Sequence, residues 1–150
     1  MQIFGQIEDA VLSRLSVLDL KTLAVYAGQM DVKDISDITI NFPCVYIIPR
    51  GMDFEIGNQV NVGKYRLSFI VGDMNLRGSK TAVDGDADST GIYAILQGIY
   101  EQLHDWLPVP GSMTPLKLEK IDVIDYNPTI DVCIYAMDFT ADLYYAVTEI

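Results

Sequence analysis

The stretch PCVYIIP at 43–49 is apolar on both parities of a strand's alternation. A strand with one wet face alternates apolar and polar residues. A run without that alternation suits a strand covered on both faces, and so a central one. Pro43 and Pro49 bound the run, since neither can donate to a ladder.

The other periodicities fall around this strand. Ile7, Val11, Leu15 and Leu18 repeat at helical spacing with Ala10 and Arg14 beside them, which predicts a helix over 5–19. Glu8 and Asp9 would sit in its first turn, where the positive end of the dipole favours them. KTLAVYAG, 21–28, reads as a short strand ending at a glycine, and DVKDISDI, 31–38, as a short helix or helical turn. Residues 51–73 read as a hairpin turning at Gly57-Asn58, which supplies the positive φ a tight turn demands. In its return strand Tyr65, Leu67, Phe69 and Val71 alternate with Arg66, Ser68 and Gly72, while Val60 and Val62 fall on the other parity. That slip predicts a bulge at Gly63. A second helix is expected over 89–106, with Ile92, Ile95, Leu96, Ile99, Leu103 and Trp106 on one face and Pro108 and Pro110 beyond it. Its Ala94 and Gly98 form a narrow strip, fit for close approach of a neighbouring backbone. Residues 115–146 read as a second hairpin turning at 126–129. Cys133, Tyr135, Met137, Phe139, Ala141 and Leu143 alternate on one of its faces, and a parity shift predicts a bulge near Glu119-Lys120. The order gives a single α+β domain over 1–150: a mostly antiparallel sheet, two main helices packed on one face, and projecting β-hairpins.

Composition narrows the function classes. A chain of 150 residues buries roughly 70% of its unfolded surface, enough for a core without staples. No apolar run approaches the ~20 residues of a membrane-spanning helix, so no membrane partner is expected. The opening MQIFGQIEDAVL carries acids in its apolar stretch and lacks a basic region, unlike a secretory leader. The net charge of −11, with 10 scattered Lys and Arg, argues against a protein that neutralises nucleic-acid phosphates. No sequence-specific nucleic acid is expected. Cys44 and Cys133 each lie in an apolar run and read as buried free thiols of a reducing compartment.

The most metal-like stretch is DGDADSTG at 84–91, with Asp84, Asp86 and Asp88 at every second position. A calcium loop of the EF-hand kind needs a glycine at its sixth position and a bidentate glutamate at its twelfth. Counting from Asp84 gives Ser89 and Ile95, and counting from Asp86 gives Gly91 and Gln97. Neither register closes the site. The simpler account makes Asp88 or Ser89 a helix cap, with the other carboxylates near the helix's positive end. The competing account is a small-ligand or calcium-binding module built on the Asp84–Asp88 loop. No cofactor, metal ligand or catalytic residue is otherwise expected. His104, the only histidine, sits at a helix end and reads as solvated, and GxSxG, GxxxxGK and GxGxxG are absent. The acidic pairs Asp122/Asp125 and Asp138/Asp142 give no sign of burial. Tyr93, Tyr100 and Tyr144-Tyr145 fit either a core edge or a contact with another protein.

The segment FIVGDMNLRGSKTAVDGDADSTGIYAILQGIYEQLHDWLP runs strand, LRG turn, polar loop and GIYAIL helix. With IEDAVLSRLSVL at the start and FPCVYIIPRG in the middle, this order resembles the small tail proteins of Mu-like phages and prophages. Their fold resembles the tail-terminator or tail-completion proteins. The resemblance implies a non-enzymatic α+β subunit. It would assemble into a ring at the head-proximal end of the tail, a hexamer being one form. Other phage tail or connector proteins would be its further partners, with the bacterial host's cytoplasm and then the virion tail as its places. A monomeric adaptor or chaperone for tail assembly is the other reading in this class. A ring contact needs two complementary patches. The candidates are a basic cluster at Arg50, Lys64, Arg77 and Lys80 and an acidic loop at Asp84, Asp86 and Asp88 of the neighbour.

Overall fold

The computed structural model describes residues 2–28, 42–56, 61–74, 91–127 and 132–145. Cys44, Val45, Tyr46 and Ile47 are all buried, so the run that is apolar on both parities lies inside a sheet. It opens strand β2 (Cys44–Ile56), which is flanked by a parallel β1 (Thr22–Val25) and an antiparallel β3 (Asn61–Met74). Strands β4 (Lys117–Asn127) and β5 (Val132–Tyr145) complete a five-stranded sheet of order β1-β2-β3-β5-β4. Only the β1–β2 pairing is parallel. Among the described residues, strand β4 is therefore an edge.

Helices α1 (Gln2–Leu15) and α2 (Ile92–Leu103) cover one face of this sheet. Ile7, Val11 and Leu15 of α1 are fully buried, as are Ile92, Ile99 and Leu103 of α2. They meet the alternating set Tyr65, Leu67, Phe69 and Val71 on β3 and Met137, Phe139, Ala141 and Leu143 on β5. Phe69 and Phe139 cross edge to face at 5.5 Å. The opposite face carries a smaller apolar cluster at one end only, formed by Phe42, Cys44, Tyr46, Val132 and Ile134. This is why β2 is buried on both parities at 44–47 and not beyond.

Several boundaries differ from the sequence reading, each for a local reason. Helix α1 starts at Gln2, so Glu8 and Asp9 lie past the first turn and play no part there. Helix α2 starts at Ile92, with Gly91 at its N-cap position at φ 81; Asp88 and Ser89, the expected caps, lie outside the described residues. A residue in that backbone region is a glycine's place, and it breaks the chain before the helix can begin. Gly98 faces the side chain of Leu18, whose Cδ2 would lie 2.7 Å from an added Cβ, instead of a neighbouring backbone. Pro49 does not end β2. The strand runs on through a register shift between Pro49 and Met52, where Gly51 has φ 79. A bulge is where a strand can hold a residue that lacks an N–H. That shift replaces the bulge expected at Gly63, across which β3 pairs without interruption. The bulge at Glu119-Lys120 is present, and a second shift follows between Val123 and Asp125. The expected helix at 31–38, the Gly57-Asn58 turn and the Asp84–Asp88 loop lie outside the described residues.

Candidate functional site

Two surfaces hold the chemistry of this chain. The first is the polar part of the sheet face opposite the helices. The period of two that packs Tyr65 and Leu67 under the helices puts Lys64, Arg66 and the buried Ser68 on this opposite face. Across the ladder, Thr140 and Asp138 of β5 point the same way, and the bulge in β4 brings Glu119 alongside them. Thr140 Oγ1 donates to Glu119 Oε1 at 2.9 Å, and Lys64 Nζ lies 3.3 Å from the same oxygen. The hydroxyl and then the cation hold the Glu119 carboxyl below the usual carboxylate range. Ser68 Oγ donates to Asp138 Oδ1 at 2.5 Å. Arg66 pairs with Asp53 at 3.0 Å, and Lys120 with Asp122 at 2.9 Å. The Asp122 carboxylate raises the ammonium of Lys120. Lys64, Arg66 and Lys120 thus each pair with a carboxylate of the same subunit.

The second surface is apolar and follows the edge of the sheet. Helix α2 covers the strands up to Leu118 and leaves the margin of β4 open. A groove results, lined by Tyr93, Leu96, Gln97 and Tyr100 of α2 and by Leu118 and Ile121 of β4. Tyr93 is 52% exposed, Tyr100 40% and Ile121 44%, while Val123 and Ile124 beyond them reach 58% and 59%. The second bulge of β4 leaves both of these last residues in water. The tyrosine rings are held in place: Tyr93 stands edge-on to Tyr135 at 6.3 Å, and Tyr100 stacks on His104 at 4.8 Å. Tyr93 and Tyr100, which fit either a core edge or a contact surface in sequence, are half-exposed and packed on neighbours of the same chain.

His104 fixes the end of the groove. It is the C-cap of α2, and its Nδ1 accepts the Leu118 N–H at 3.0 Å. Its Nε2 lies 3.5 Å from Asp105, which in turn pairs with Lys117. The backbone adds Asp105 N–H to Leu116 O at 2.8 Å and Leu116 N–H to Trp106 O at 2.9 Å. The sequence reading of His104 as a solvated helix-end residue is therefore corrected: it is a hydrogen-bond acceptor that ties α2 to β4. No periodicity announces this, because Leu118 is distant in sequence and reaches His104 only through the fold.

Of the residues expected to form a subunit contact, Arg50 and Lys64 share the polar sheet face, where Arg50 lines a shallow depression with Arg66, Glu119 and Asp138. Lys64 is already paired with Glu119. Arg77, Lys80, Asp84, Asp86 and Asp88 lie outside the described residues. Cys44 and Cys133 are free and buried, and burial pushes the Cys44 thiol up to about 12. Tyr65 Oη is buried without a hydrogen-bond partner among the described residues, and burial raises it as well. No group of three or more His, Cys, Asp or Glu side chains among the described residues is placed to hold a metal. Within the same residues no helix is long and apolar enough to cross a membrane.

Residues 3–144 match the family described as Bacteriophage Mu, Gp37. No curated protein matches the chain in sequence. Among solved structures, a chain of the "Virion of native gene transfer agent (GTA) particle" has a TM-score of 0.59 and 10% sequence identity. The match covers 92% of this chain and 94% of that one. At that identity the likeness is one of fold.

Proposed function

The chain belongs to the Bacteriophage Mu Gp37 family, and on that premise we propose that it is a structural protein of a phage tail. In this reading it is of the tail-terminator or tail-completion kind and acts as a ring at the head-proximal end of the tail. The observation that carries the proposal is the extent of the family match, which spans nearly the whole chain. The similarly folded chain named above is part of a virion, which supports a structural role. The geometry agrees. A ring subunit needs a rigid core and exposed surfaces that other proteins can bury, and the groove along β4 is such a surface. A net charge of −11 suits a ring past which DNA moves without sticking. Its partners are further copies of itself and neighbouring tail or connector proteins.

A protein that closes the growing end of a tail should limit tail length. Particles assembled without this protein and viewed by electron microscopy should show tails of uneven length and heads that fail to join. Complete virions with tails of normal length would overturn the proposal.

A further inference from the structure

We propose that the depression on the sheet face opposite the helices binds an oxyanion through Arg50, Arg66 and Lys120, and that its occupant is a single aspartate or glutamate side chain of a partner protein. The site is distinct from the apolar groove, and the inference does not depend on the ring reading.

Three strands bring the cations together. Arg50 lies in the register shift of β2 between Pro49 and Met52, Arg66 on β3, and Lys120 on β4 just past its first bulge. The depression they line has a volume of about 180 Å³. Its two carboxylates, Glu119 and Asp138, are already supplied with donors. Thr140 and Lys64 hold Glu119, and Ser68 gives its proton to Asp138, which faces Lys120 across the ladder. The cations are less evenly supplied. Arg66 meets Asp53 and Lys120 meets Asp122, whereas Arg50 has no ion pair among the described residues. The Asp122 carboxylate and then Asp138 raise the ammonium of Lys120, and the Arg50 guanidinium acts against them. Like charges near enough to act on each other in this way favour an anion between them.

Chemistry then selects the occupant. The hydroxyl protons of Ser68 and Thr140 are committed to carboxylates, so the donors left for a ligand are the N–H groups of the cations. A guanidinium can present two parallel N–H bonds to a carboxylate or a phosphate. Duplex DNA brings one charge per about 1.7 Å of its axis. Asp53 and Asp122 stand behind the cations, on a chain whose net charge is −11. Neighbouring phosphates, like a run of acidic side chains, would meet those carboxylates and be repelled. One carboxylate in an otherwise uncharged protein segment would not.

The probe is a blocked tripeptide with one central glutamate, titrated into the whole protein, and the readout is the NMR signal of the arginine Nε–H groups. Arg14, whose Nε–H donates to the Gln102 oxygen, serves as the internal control. The glutamate peptide should shift Arg50 and Arg66 along a saturating curve and leave Arg14 in place. Its glutamine counterpart, and sodium chloride at equal ionic strength, should not. Arg50 and Lys120 are exposed, so Arg50→Gln and Lys120→Gln should melt like the parent. Followed at Arg66, Arg50→Gln should bind at least about tenfold more weakly, the loss expected when a charge-assisted bond is removed, and Lys120→Gln should also bind more weakly. Equal shifts with chloride, full binding by Arg50→Gln, or a short DNA duplex that moves these signals where the peptide does not would each overturn the inference and leave the tail reading standing.

Discussion

At the scale of single residues, His104 and Glu119 do the most outside the core. The Nδ1 of His104 is an acceptor for the Leu118 N–H, and removing it orphans a half-buried donor. His104→Ala should cost about 1–3 kcal/mol, the range for such a group. Asparagine can present an oxygen near the same place, so His104→Asn should cost less. Thermal melts of both variants, with hydrogen exchange at the Leu118 amide, check this, and equal losses would count against the acceptor role. The carboxyl of Glu119 is held low by Thr140 and then by Lys64. A carboxyl with a lowered folded value adds stability above its unfolded value, and that stability is lost as pH falls through the folded one. The pair is exposed, so the effect is small. Glu119→Gln should lose less than about 1 kcal/mol at neutral pH. The gap from the parent should close as pH falls through the carboxylate range. A gap that widens in acid would contradict the assignment.

At the scale of elements, the strongest periodicities were legible and the ends were not. The set Tyr65, Leu67, Phe69 and Val71 is fully buried, as its alternation predicts, and so is most of the apolar face of α2. The central placing of 44–47 followed from one rule about parity. The misses share a cause. Helix α1 begins earlier than its cap signals suggest, and α2 begins later because Gly91 stops it. Val62 falls on the polar face without a bulge at Gly63, and the irregularity lies across the ladder at Pro49–Met52. Pattern reports which residues face inward, whereas a bulge belongs to a pair of strands and can be taken up by either. The groove was beyond reach for a related reason. Ile121 and Val123 carry a buried strand's pattern, and the extent of α2 over the sheet, with the second bulge of β4, leaves them in water. Tyr93 and Tyr100 were the one signal for it. Burial on α2 gives a test of the element. Ile99→Ala should cost about 2–5 kcal/mol, as for a fully buried aliphatic. Gln102→Ala should stay within about 0.5 kcal/mol, since Arg14 bonds the Gln102 backbone oxygen, which the substitution keeps. Chemical denaturation of the two variants compares them, and equal costs would show the helix turned the wrong way.

At the scale of the whole molecule, the account holds that this chain works by what it touches. Lys64, Arg66 and Lys120 pair with carboxylates of the same subunit, the thiols are buried, and an unfilled apolar groove runs along one edge of the sheet. Contact through that edge buries apolar area and so should survive salt, whereas a contact made by exposed ion pairs should weaken, being screened over about 10 Å at 0.1 M. The most direct measurement is sedimentation velocity of the purified protein over a concentration series at low and at high salt. The account predicts a rise from monomer to one closed species whose mass stops increasing, with high salt leaving that species in place. A strict monomer up to several hundred micromolar, at both salt levels, would contradict it.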